Sequence, residues 1–160
     1  MNSILKNFSV AITLAVLAFT QAAWGQDMSA VITAIETIDG LVAVESPTGT
    51  VTVTGDATAS STLTLNIPKG GTVLWKAKLT GSAGTLVTLT GAGAFNVEEG
   101  GEVKATEGAA IWNASTGLIT ISGNALVTSE NTDNTLGTIF LAAGGGTSTA
   151  ERLVITTSTS

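Results

Sequence analysis

The chain has 160 residues, of which 44% are hydrophobic, 11% charged and 4% aromatic, and its net charge is −6. It contains no Cys, His or Tyr, which excludes disulfides, thiol nucleophiles, Cys- or His-ligated metal sites and Ser-His-Asp chemistry. The length allows one domain, and an acidic chain with a single arginine, Arg152, is a poor partner for nucleic acid.

Met1 to Asn7 is short and polar with one cation, Lys6, and is followed by the uncharged run Phe8–Phe19 and by small residues at Ala23 and Gly25. This three-part layout predicts a secretory signal peptide over residues 1–25, cleaved after Gly25. The apolar run is too short for a transmembrane anchor, which needs ~20 residues. No later stretch is apolar enough to span, so the expected mature chain starts near Gln26, is exported and crosses no membrane. Met28–Asp39 fits two readings. Val31, Ile35 and Ile38 share a helix face, whereas Val31, Thr33, Ile35 and Thr37 alternate as in a strand. Residues 26–48 are expected to form an N-terminal cap or a first coil, with residues 49–160 as the main domain.

From there strand periodicity dominates. Thr50–Thr54, Thr62–Ile67, Val73–Leu79, Val87–Thr90, Leu118–Ser122 and Leu153–Thr156 alternate branched apolar residues with Thr, Ser, Asn or Lys. Glycine ends most of these runs. A phrase recurs as GTVTVTG, TLVTLTG and GLITISG, with closing glycines Gly55, Gly91 and Gly123 at an imperfect period. Repetition of this kind implies stacked units. Short strands, corners of Gly with Ala, Ser and Thr, and an aliphatic interior predict an all-β parallel β-solenoid. A Greek-key β-sandwich is the competing architecture. Trp75 shares phase with Val73, Ala77 and Leu79, and Phe95 with Val97, so both rings are expected in the core.

Four pieces carry a resemblance: Leu63–Gly81 (LTLNIPKGGTVLWKAKLTG), Leu89–Gly101 (LTGAGAFNVEEGG), Gly108–Gly123 (GAAIWNASTGLITISG), and Val127–Thr132 with Gly137–Leu141. They resemble the repeats of bacterial cell-surface and secreted proteins of the right-handed parallel β-helix type. The resemblance implies a short right-handed coil stack and brings no catalytic residues and no cofactor.

Pectate-lyase-like enzymes share that fold, which makes clustered carboxylates candidates for polysaccharide cleavage. Only Glu98-Glu99-Gly100-Gly101-Glu102 is dense, and a solvated turn accounts for it. Ile111 is the inward residue of its strand, which turns Trp112 outward beside Asn113 and Ser115. An exposed indole stacks on a sugar's C–H face, and Asn113 and Ser115 would supply hydrogen bonds. Thr52, Thr54, Thr62, Thr64, Thr88 and Thr90 put hydroxyls outward and form a second candidate surface, for glycan or, as an alternative, for ice. Asn113-Ala114-Ser115 matches a glycosylation sequon by chance, and Gly144–Gly146 lacks the residues of a phosphate loop. The expected protein is a secreted, non-catalytic bacterial module, structural or adhesive. Extracellular glycan or surface components are its expected partners, and it is capable of self-association. No metal or cofactor is expected.

Overall fold

The computed structural model describes residues 26–132, 137–142 and 152–156. The expected signal peptide and the Gly144–Gly146 run lie outside the described residues. Among the described residues one helix, α1 (Ser29–Glu36), precedes thirteen strands: β1 (Leu41–Ser46), β2 (Thr50–Ala59), β3 (Leu63–Ile67), β4 (Thr72–Trp75), β5 (Lys78–Gly81), β6 (Thr85–Gly91), β7 (Ala94–Val97), β8 (Glu102–Ala105), β9 (Ala109–Asn113), β10 (Ile119–Ser122), β11 (Leu126–Ser129), β12 (Ile139–Leu141) and β13 (Leu153–Thr156).

The strands wind as a parallel β-solenoid of about four turns with three faces. Face A stacks the first half of β2 with β4, β7, β10 and β13; face B stacks the second half of β2 with β5, β8 and β11; face C stacks β3, β6, β9 and β12. All these pairings are parallel, so the sandwich alternative does not apply. Side chains alternate between the sealed interior and water, as in β3 with Leu63, Leu65 and Ile67 buried and Thr64 and Asn66 exposed. Stacking in register turns each inward position into a ladder: Val51, Val73, Phe95 and Ile119 on face A; Leu63, Val87, Ile111 and Ile139 on face C. Each fully buried aliphatic side chain contributes about 1.5–3 kcal/mol. Trp75 and Phe95 are in the core as expected, their ring centroids 5.7 Å apart, and the Trp75 indole N–H donates to the carbonyl of Glu102 at 3.2 Å.

The coil is shorter than the recurring phrase implies. The steps from Val51 to Val73, from Val73 to Phe95 and from Phe95 to Ile119 each take one full turn, and each is well short of the spacing between the closing glycines Gly55, Gly91 and Gly123. GTVTVTG and GLITISG both lie on face A, three coils apart, while TLVTLTG lies on face C. The phrase marks how a strand meets a corner and not a fixed place in the coil. At one corner β2 bends from face A to face B through Gly55, whose φ of 113° is closed to residues with a Cβ; a Cβ there would also fall on the Gly40 carbonyl oxygen.

The segment 28–39 resolves to a helix. Met28, Val31, Ile35 and Ile38 recur at helical spacing and are all buried, with α1 packed on β1 and β3 at the end of the stack. A strand would have turned Thr33 and Thr37 toward the same neighbours as each other. Instead both are exposed and return their hydroxyls to the helix carbonyls of Ser29 and Ala34. β1 runs antiparallel to β2 and covers the first edge of face A. Helix and strand together form the N-terminal cap.

Candidate functional site

Face C carries most of the outward residues that the sequence singles out. Its central outward row reads Thr64, Thr88, Trp112, Phe140, one residue per coil. Alongside, set two positions further along the strands, stand Asn66 and Thr90, and Ala114 follows the end of β9 with its N–H bonded to the Leu89 carbonyl at 2.9 Å. Trp112 is outward and half-buried, as expected from Ile111 pointing in. Its indole stacks on the phenyl ring of Phe140 with centroids 4.1 Å apart and an angle of 18° between the planes. Sequence reasoning missed Phe140 because the coil from Trp112 to Phe140 is longer than the one from Thr88 to Trp112. The signal that would have found it is the inward ladder: once Ile139 follows Ile111, Phe140 must follow Trp112.

Two of the expected site residues are not at the surface at all. Asn113 and Ser115 are buried, with 0% and 4% exposure. Asn113 occupies an inward rung position between Leu89 and Leu141. A polar side chain there must be fully hydrogen-bonded. Its Oδ1 accepts from the backbone N–H of Ser115 at 2.9 Å and from the Ser115 hydroxyl, its Nδ2 donates to the Gly117 carbonyl at 3.4 Å, and the Ser115 Oγ accepts from the Gly117 N–H at 3.1 Å. The two residues lock a corner and present no hydrogen-bonding group to a ligand. The same burial closes the sequon's Asn113 in the folded chain.

The threonines divide between faces. Thr52 and Thr54 lie on face A, where Thr52 is followed on the next coils by Leu74, Asn96 and Thr120; Thr62, Thr64, Thr88 and Thr90 lie on face C or its edge. Thr64 and Thr88 are rung neighbours, as are Thr50 and Thr72 on face A and Thr58 and Thr80 on face B. Among the described residues no threonine row exceeds two adjacent rungs, shorter than the regular hydroxyl array that ice binding calls for. The Thr62 hydroxyl is tied to the Thr85 carbonyl at 2.7 Å, and Thr90 reaches the Leu65 carbonyl at 3.5 Å.

Charge lies elsewhere. β3, β6, β9 and β12 contain no ionisable side chain. Face B and its corners hold the ion pairs, Lys76–Glu98 at 3.3 Å and Lys104–Glu130 at 2.7 Å. The Lys104 ammonium is held above its ordinary value of 10.5, first by its hydrogen bond to Glu130 and then by that carboxylate's charge. Glu98 is thus engaged by Lys76, and Glu102 stands beside Lys78 on the face B ladder. Among the described residues no group of three Asp or Glu side chains is arranged to hold a metal ion, and no helix is long and apolar enough to cross a membrane. Compared with known protein families, curated proteins and solved structures, the chain matches none.

Proposed function

We propose that the chain is an exported, non-catalytic β-solenoid that serves as a structural or adhesive module at or outside a bacterial cell envelope and engages glycan through face C. The observation that carries this reading is the outward Trp112–Phe140 pair on a face without charge. Large aromatic side chains are normally hidden, as Trp75 and Phe95 are here, and a half-exposed pair beside hydroxyls is the surface chemistry that binds sugar. The pairing of Glu98 with Lys76 favours binding over catalysis, since a hydrolase needs a water-excluding cleft with convergent carboxylates. Export rests on the segment 1–25, and N-terminal sequencing of secreted material is expected to begin near Gln26. Self-association belongs to the same reading. Leu126 and Ile155 are exposed at the last described coil and line, with Ile121, Val127 and Ile139, a hollow of about 440 Å³. Sedimentation is expected to show concentration-dependent association, and a strict monomer at high concentration removes that part.

The deciding experiment is a glycan array probed with the wild type and with Trp112→Ala. Binding by the wild type that the variant loses is the expected result. Binding by neither protein, or equal binding by both, overturns the glycan reading.

A further inference from the structure

We propose that face C holds a single neutral pyranose ring, stood on edge between the free face of the Trp112 indole and the hydroxyls of Thr88 and Thr64. This rests on the glycan reading and specifies its ligand. Trp112 sits between Thr88 and Phe140 in one row. Because it stacks on Phe140 with nearly parallel planes, the indole stands across the row, and one of its faces is occupied by the phenyl ring. The opposite face looks back over Thr88, whose side chain is too short to cover it. The result is a step: an aromatic wall rising from a floor of Thr88 and Thr64, with Thr90 and Asn66 beside them.

The dimensions of the step follow from the coil. Neighbouring rungs are about 4.8 Å apart, close to the ~4.5 Å at which two rings stack. A ring laid against the wall therefore has its rim directly above Thr88. A pyranose has the matching chemistry, with apolar C–H faces for the wall and a rim of hydroxyls for the floor. The Thr64 and Thr88 hydroxyls have no hydrogen-bond partner among the described residues and are available to that rim, unlike Thr62, whose hydroxyl is bonded to the Thr85 carbonyl. Ala114 follows the wall's strand two residues after Trp112, small and exposed, so a glycan attached to the bound ring can leave along the strand direction. A polysaccharide laid along the solenoid axis would collide with the indole. The ligand is neutral because the four strands of face C carry no cation, the Arg152 guanidinium at the ends of β9 and β12 is engaged by three backbone carbonyls, and a chain of net charge −6 repels uronates and sulfated sugars.

The test uses the full chain, isothermal titration with neutral hexoses and with the matching uronic acids, and four variants checked for folding by circular dichroism. Thr88→Val keeps the strand and the methyl group but removes the hydroxyl, and is expected to weaken binding about five- to tenfold. Thr88→Trp fills the step with a third stacked ring and is expected to abolish binding while the protein stays folded. Trp112→Ala is expected to abolish it too, and Thr120→Val on face A to leave it unchanged. Uronic acids are expected to bind at least tenfold more weakly than their neutral counterparts. If a glycan binds through Trp112 but Thr88→Val and Thr88→Trp bind it as the wild type does, or if uronates bind equally well, the step is overturned while the glycan reading stands. If the wild type binds no glycan at all, both fail.

Discussion

Asn113 shows how one polar residue is made tolerable inside an aliphatic ladder. Leucines stand on either side of it in the stack, and the turn that follows supplies every partner its amide uses. Asn113→Ala would strand the Ser115 N–H and hydroxyl in a dry corner, with an expected loss of about 1–3 kcal/mol in urea unfolding. Ser115→Ala removes fewer contacts and is expected to cost less. The same corner requires Gly117 for a different reason. A Cβ there would run into the carbonyl of Gly93, the backbone of the coil beneath, which cannot move without shifting its own rung. Gly117→Ala is expected to lower the unfolding midpoint clearly, by about 2–3 kcal/mol. Gly84→Ala is the control, since a Cβ at Gly84 meets nothing within 4 Å, and it is expected to be neutral or slightly stabilising. Equal effects at the two glycines would mean that coil-to-coil backbone contact does not set the corner's composition.

At the scale of strands, alternation was the readable signal and register was not. The pattern in Leu63–Ile67 or Val73–Leu79 gives the inward set because each strand is wet on one side and sealed on the other. Which strand stacks on which depends on corner lengths, and these vary: the coil from Val87 to Ile111 is shorter than the one from Ile111 to Ile139. That insertion is why Phe140 does not align with Trp112 in the linear sequence. Alternation from Ile111 also turns Asn113 inward, and its polar identity misled the site reading where its phase was right. The last coil is held by a contact with no sequence signature. The Arg152 guanidinium donates to the carbonyls of Asn113, Ser115 and Ala142 at 3.0, 2.7 and 2.6 Å, joining the start of β13 to the ends of β9 and β12. Three carbonyls around one planar fork suit arginine and not a single ammonium. Arg152→Lys is therefore expected to behave nearly as Arg152→Ala, with faster amide exchange at Ala142 and Ile119, whose N–H groups bond to Asn113 and Arg152. A lysine that restored full protection would overturn this. On face B, by contrast, Lys104 and Glu130 are exposed to water. Because pairing raises the Lys104 value above 10.5, whatever the pair adds to stability is present below that pH and fades as pH rises through the raised value. Its exposure keeps that contribution small, and Lys104→Gln is expected to leave the urea midpoint at pH 7 unchanged within error.

For the whole molecule the consequence of stacking is that each coil touches only its neighbours, so stability is a property of the stack and of how its ends are finished. The two ends differ. At the first, α1 and the residues flanking it seal the core with Met28, Val31, Ile35 and Ile38, and β1 covers the edge of face A. At the last described coil, Val127, Ile139 and Leu153 are only half-buried, and Leu126 and Ile155 are exposed. Amide exchange is therefore expected to be slowest in β4 to β9 and faster in β11 and β13, a gradient running away from the sealed end. Ile35→Asp tests whether the seal sets that order. Ile35 is fully buried against the end of the stack, and a carboxylate there would meet no cation from α1 or from β1 and β3, on which the helix packs. The helix is expected to detach, to raise exchange in β1 and β3 to the level of β11, and to lower stability by about 3 kcal/mol or more. Ile32→Asp, on the neighbouring face of the helix and only partly buried, is expected to do much less. If Ile35→Asp left β3 as protected as in the wild type, the helix would be an ornament on a core that closes itself, and the asymmetry between the two ends would need another origin.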